Sequence, residues 1–196
     1  MIRWKEFMEA YVPTTIIWLV LLSFLAMPEY SFPSAFLQTF ALFFYSYGGH
    51  VFAHYLSKGS LSAWNPHVYL HHKKSVDMPR WLELTIEGLV DFLCFFMIVL
   101  LQWATGIHLF SNRLVIGSGI LYVLIHIIDY SLRGNAQHAL HHGRTFCNYE
   151  PEVWDTLFDT RCEPAEPYTP MTPKIVHAIT AFVLTYGLTW YLDWEK

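Results

Sequence analysis

The chain has 196 residues, 54% of them hydrophobic and 18% aromatic but only 14% charged; ordinary soluble domains carry about 25% charged residues, so this composition points to a bilayer. The length suits one domain. A net charge of -4, from 12 basic and 16 acidic residues, leaves no basic footprint for nucleic acid.

Arg3 and Lys5 precede a first apolar stretch, Val12 to Met27. It lacks a small-residue cleavage site and reads as a membrane anchor kept in the mature protein. A turn from Pro28 to Ser34 leads into a second stretch, Ala35 to Tyr47. The third and fourth, Leu89 to Thr105 and Leu114 to Ile128, are joined around Gly106 to Asn112. With their uncharged flanks, these four stretches predict four membrane helices in two hairpins. Cys162 to Pro173 is rich in proline and acid and reads as an irregular connector. The last apolar stretch, Ile175 to Leu192, is interrupted by His177 and Gly187 and reads as a fifth span or an interfacial helix. The expected fold is thus an all-α integral membrane protein, a single domain over residues 1–196.

Basic residues orient it, because Lys and Arg near membrane ends stay cytosolic. Lys58, Lys73, Lys74 and Arg80 lie between the second and third stretches, and Arg133 and Arg144 follow the fourth. The two short turns have only Arg113, at a boundary. Both hairpins are therefore expected to dip into the bilayer from the cytosolic side, leaving Tyr55 to Leu84 and Leu132 to Pro173 together outside it. Three cysteines, Cys94, Cys147 and Cys162, odd in number and without a CxxC pair, argue against a disulfide framework or zinc ribbon and fit a reducing, cytosol-facing polar part.

The 11 histidines carry the chemistry. They form clusters: His50 with His54 (HVFAH), His67 with His71 and His72 (HVYLHH), and His138 with His141 and His142 (HALHH). On an α-helix, residues i, i+3 and i+4 share a face, so HxxHH aims three imidazoles at one point and HxxxH aims two. In HxxxHH the third histidine is turned about 140° from the first on a regular helix. That cluster either splits its ligands between two metals or sits on a distorted turn. His126, near the end of the fourth stretch, is a ninth candidate ligand, since an ionisable residue at that depth is by default functional. Nine imidazoles exceed the four to six ligands one ion accepts, so two metals are expected. His108 and His177 stand outside every cluster and read as interfacial or hydrogen-bonded residues.

At this point the chain resembles the fatty acid hydroxylase and sterol desaturase superfamily of membrane di-iron enzymes. The likeness runs from His50 to Arg161. It rests on the order HxxxH, HxxxHH, a lone histidine closing the fourth helix, then HxxHH. It rests also on Asn148-Tyr149 and on Trp154-Asp155-Thr156-Leu157-Phe158-Asp159-Thr160-Arg161, which look like the family's NYG and WDxLFGT signatures. The lone His126 makes it look most like sterol methyl oxidases and related small hydroxylases. Glu87 would match the family's glutamate at the start of the third helix. The chain departs from the pattern at Val51, in the extra residue of the second box, and at Glu150 and Asp159, which both stand where the family has glycine.

The resemblance implies hydroxylation of a fatty acyl, sterol or related lipid by O2 at two iron ions, with zinc able to occupy the site in purified protein. Loss of a second hydrogen would give desaturation instead. It implies electrons from NAD(P)H through separate partners, a cytochrome b-type donor and its reductase, and residence in the endoplasmic reticulum of a eukaryote or the inner membrane of a bacterium. Asp155, Asn148 and Tyr149 are the candidate catalytic residues beside the ligands. A ligand histidine normally gives its second nitrogen to a carboxylate or carbonyl; Asp155 is the first candidate for that role, or else a helix cap, and Asp129, Glu87 and Asp91 follow. A membrane haem cytochrome needs single histidines deep in two spans, and a divalent-metal transporter needs ligands at mid-bilayer. Clustered histidines outside the spans fit neither pattern well, and an absorption spectrum with metal analysis separates the three.

Overall fold

The computed structural model describes residues 4–56, 65, 67, 72, 78–144, 146–162 and 172–192. All regular structure among them is helical: α1 (Trp4–Ala10), α2 (Val12–Ser23), α3 (Phe32–Leu56), α4 (Arg80–Thr105), α5 (Asn112–Leu124) continued by a π-helix (Ile125–Leu132), α6 (Ala136–Gly143), α7 (Glu152–Leu157) and α8 (Thr172–Tyr191). Two of these helices, Arg80–Thr105 and Asn112–Leu132, are long and apolar enough to cross a membrane. The first apolar stretch forms a shorter helix than expected. Hydrogen bonds in its last part run from i to i−3 (Phe24 to Leu21, Leu25 to Leu22, Ala26 to Ser23), so the chain tightens into a turn after Ser23. Most of the Cys162 to Pro173 connector, 163–171, and the basic residues Lys58, Lys73 and Lys74 lie outside the described residues, while Thr172 and Pro173 already belong to α8.

The buried face of α4 mixes polar and apolar groups, whereas its outer face is apolar. On α4, Asp91, Phe95, Val99 and Gln102 are buried, while Leu89, Leu93, Met97, Leu100 and Leu101 are exposed. The outward stripe recurs at three and four residues, as one helical face must. α5 packs between α4, α2 and α8. Its Gly117-Ser118-Gly119 segment permits this: a Cβ at Gly117 would collide with Leu25 and crowd Thr185, and one at Gly119 would press on Phe92 and Phe95.

Side chains pin the two hairpin turns to each other. Gln102 Oε1 accepts from the amides of Leu109 and Phe110 at 2.8 and 2.7 Å, closing the α4–α5 turn behind Gly106, which caps α4 in the left-handed conformation (φ 69°). Ser111 then bridges to the other hairpin: its amide donates to Gln38 Oε1 at 2.9 Å and its hydroxyl to Glu29 Oε1 at 2.8 Å. Both turns therefore lie at one end of the bundle, and the segments bearing the clustered histidines are at the other.

Contrary to the reading of the cysteines, Cys147 and Cys162 are joined by a disulfide, so they are not unpaired thiols and give no support to a reducing, cytosol-facing polar part. The pair was not recognisable from spacing, since the tail between them turns back on itself through hydrogen bonds rather than a cysteine motif: the Asn148 amide donates to the Thr160 carbonyl and the Cys162 amide to Asn148 Oδ1. Cys94 is free and exposed.

Candidate metal centre

Three segments bring the imidazoles together. α3 runs on past its apolar part, so His50 and His54 occupy its last two turns, both buried. His67 and His72 both adopt the π-helical pattern. Their Nε2 atoms stand 3.2 Å apart. α6 begins at Asn135, whose side-chain oxygen accepts from the amides of Gln137 at 2.8 Å and His138 at 3.2 Å. This cap fixes HALHH as a helix and sends His141 and His142 to adjoining places. His71 lies outside the described residues.

Ligand nitrogens of His50, His54, His67, His72 and His141 all fall within 4.8 Å of one another. His67 and His54 meet through Nε2 at 3.1 Å, as do His141 and His50. Beside this group lies a second, in which His142 and His138 face each other through Nε2 at 2.9 Å and the His126 ring sits 5.1 Å from that of His138. His72 joins the groups, its ring 4.7 Å from that of His142.

The donor set fits metal ions. Two nitrogens held about 2.1 Å from a common ion, at angles between octahedral and tetrahedral, stand about 3.0–3.4 Å apart, close to the contacts observed. The rings of His67, His72, His138 and His141 are also held in the uncharged form that ligates. Burial, then the neighbouring imidazoles, hold His67 and His72 well below the usual histidine range. Burial, then His126, does the same to His138. Burial pushes His141 down to about 3, although its bond to the Cys147 carbonyl works the other way.

Around the ligand nitrogens lie their supports. His141 Nδ1 donates to the Cys147 carbonyl at 2.7 Å, leaving Nε2 for the cluster. His126 Nδ1 is 2.6 Å from Asp91 Oδ2, and its Nε2 is 3.5 Å from Glu87 Oε1, so two of the sequence-predicted carboxylates meet a histidine. Asp129 instead faces His177, at 3.2 Å, which keeps His177 outside both groups. His108 is exposed in the α4–α5 turn. Asp155 is occupied with the tail: Oδ1 accepts from the Tyr149 amide at 2.9 Å and the Thr160 hydroxyl at 2.6 Å, and Oδ2 from the Glu150 amide at 2.6 Å. Asn148 likewise bonds the Gln137 carbonyl and the Cys162 amide. Of the three residues expected beside the ligands, Tyr149 alone faces the cluster, its ring 5.6 Å from His54 and 5.9 Å from His141.

Glu150 was not foreseen in this setting. Its carboxyl lies 3.5 Å from His138 Nδ1. Burial pushes that carboxyl up to about 8, with Lys174 the strongest opposing influence.

A cavity of about 600 Å³ runs between α3, α4 and α5 to the first histidine group. Phe52, Val90, Phe95 and Tyr122 line it, and His50 and His67 stand at one end. Phe52, Tyr45 and Cys94 on its wall are exposed, so it opens sideways between α3 and α4. The Tyr45 hydroxyl spans that opening, donating to the Cys94 carbonyl at 2.9 Å. A second, polar cavity of about 360 Å³, lined in part by Arg80, Glu87, Asn135, His138 and His142, reaches the other group.

Comparison of the chain with family models, curated proteins and solved structures finds no match.

Proposed function

We propose that the chain is a membrane-embedded oxidoreductase that holds two iron ions between its histidine groups and uses O2 to hydroxylate a lipid. The convergence of five histidines from three separate segments, two of which, His50 and His67, line a largely apolar cavity, carries this reading. Redox-active ions at that position would supply O2 activation and hydrogen removal from an unactivated C–H bond, which zinc does not do.

The residues themselves do the rest. His50, His54, His67, His72 and His141 would hold one ion, and His138, His142 and His126 the other, with Glu87 at hand. Phe52, Val90, Phe95 and Tyr122 bind a hydrocarbon by removing it from water and hold it in one alignment. Tyr149 covers the ligand rings on the tail side, excluding water from the site. Electrons would arrive from a separate partner at the histidine-bearing end. Desaturation of the same substrate uses the same arrangement and differs only in the fate of the second hydrogen.

The exposed apolar face of α4 supports a membrane location. A buried core helix of a soluble protein hides its apolar face, whereas the apolar window of α4 is only 22% buried. With α1 and α2 forming a shorter apolar helix over Phe7–Ser23 and α3 beside them, four spans in two hairpins is the proposed arrangement. α8 packs along α2 and α5 and would complete the bundle.

The test is iron content and lipid products from purified protein and from expressing cells. Two iron ions per chain and an oxygenated lipid, absent with His141→Ala, are expected. Saturation at one ion, or a haem spectrum, overturns the reading.

A further inference from the structure

Among the described residues, three other than glycine have positive φ, all in the tail: Asn148 at 53°, Glu150 at 56° and Asp159 at 54°. In this left-handed region a Cβ crowds the backbone. Glycine is free there and Asn and Asp are tolerated, while long side chains are disfavoured. Asn148 and Asp159 are of the tolerated types, and Asp159 is exposed. Glu150 is neither: it is a long acidic residue, 3% exposed, at a position where glycine would be relaxed. A residue kept in an unfavourable conformation invites the question of what its side chain does there.

Its carboxyl faces Nδ1 of His138 at 3.5 Å, while Nε2 of the same ring faces His142 Nε2 at 2.9 Å. On the other sides, the Tyr130 ring stacks on His138 with centroids 5.1 Å apart, and Lys174 Nζ donates to the Tyr130 hydroxyl at 3.3 Å. A carboxyl oxygen facing Nδ1, drawn to its ionised form once a cation stands at Nε2, favours the imidazole proton on Nδ1 and turns the Nε2 lone pair toward the space shared with His142. We infer that Glu150 is a positioning residue for His138, fixing its tautomer and ring orientation for the second ion, and that its left-handed backbone is tolerated for this purpose. The inference rests on the two-ion reading above.

Asp159 provides a control built into the same tail. Glycine at either position relaxes the backbone, but only at 150 does it remove a group facing a histidine. The experiment titrates full-length, metal-free protein in detergent with Co2+, following stoichiometry and the cobalt absorption bands, for the wild type, Glu150→Gly, Glu150→Gln and Asp159→Gly. Thermal midpoints of the metal-free proteins are measured alongside. In Glu150→Gly the second ion should bind about 10–100-fold more weakly with altered bands, while the metal-free midpoint is equal to or above that of the wild type. Glu150→Gln keeps a carbonyl acceptor and should fall between the two. Asp159→Gly should bind both ions as the wild type does. Wild-type affinity for both ions in Glu150→Gly overturns the inference. So does a lowered metal-free midpoint in Glu150→Gly with normal binding in Glu150→Gln, which would make the residue structural. A wild type that takes up no second ion fails the two-ion reading instead, before any variant is compared.

Discussion

His141 is held from both sides, by the Cys147 carbonyl at Nδ1 and by the His50 ring across Nε2. Replacing it with alanine removes a ligand from the crowded group while leaving the apolar helices intact. His141→Ala is expected to insert normally but to lose bound metal and nearly all product; normal metal content and activity in this variant would exclude the assignment. His177 makes the contrast, because it is buried against Asp129 rather than among the ligands. His177→Ala should keep its metal and lose roughly 1–3 kcal/mol of stability from the abandoned buried partner, so a large fall in metal content would contradict its placement. Acid should act through the ligands themselves. Burial holds His141 down to about 3 against about 6.5 for an unfolded histidine, and His67, His72 and His138 are shifted the same way. The unfolded chain thus binds more protons below about pH 6.5, so this contribution is complete above that pH and is lost as pH falls toward 3. Metal-free protein should melt lower at about pH 5 than at about pH 7.5; equal midpoints would count against neutral imidazoles. Spacing alone made the HALHH and HVFAH faces legible. It could not show what stands behind those rings, since the Cys147 carbonyl at His141 and the Glu150 carboxyl beside His138 come from a tail whose backbone path no pattern encodes.

At the scale of elements, the helices that were legible are those whose ends carry local chemistry. Asn135 caps α6 and Gly106 ends α4, and both signals can be read in the chain. The π-helix over Ile125–Leu132 could not be, because its wider turn serves tertiary contacts. It directs His126 to Asp91, Tyr130 to His138 and Asp129 to His177, and a regular helix continued from α5 would rotate these side chains apart. The tail was legible as a signature but its working was not. Asp155 organises it by accepting two amides and a hydroxyl, and the loop it shapes presents Tyr149 and Glu150 to the histidines. Asp155→Asn leaves one of those donors facing an amide NH2. We predict a loss of about 1–3 kcal/mol and faster trypsin cleavage at Arg161, with both ions still bound at saturating metal. Unchanged cleavage would indicate that the loop is held by its other bonds.

The whole molecule is polarised end to end. Ser111, Gln38, Glu29 and Gln102 tie both hairpin turns together at one end, and all the described cluster histidines converge at the other. Apolar runs in the sequence predicted the hairpins, yet two helices alone reach spanning length and apolarity among the described residues. The difference arises because α2 tightens after Ser23 and because α3 uses its final turns for His50 and His54 rather than for lipid. Polarity of this kind gives a definite topology if the bundle crosses a membrane: the turn around Leu109 and the segment after α6 must be on opposite faces. Leu109 is 68% exposed and Arg144 is exposed, so each can be replaced by cysteine with little effect on packing. Cys94, the free cysteine among the described residues, is first changed to serine. In sealed vesicles of known orientation, a membrane-impermeant maleimide should label Leu109→Cys from one side only and Arg144→Cys from the other only. Labelling of both from the same side would mean that the long apolar helices do not cross. The proposed path of a lipid from the bilayer through the opening between α3 and α4 would then fail, even if the histidine groups still bound metal.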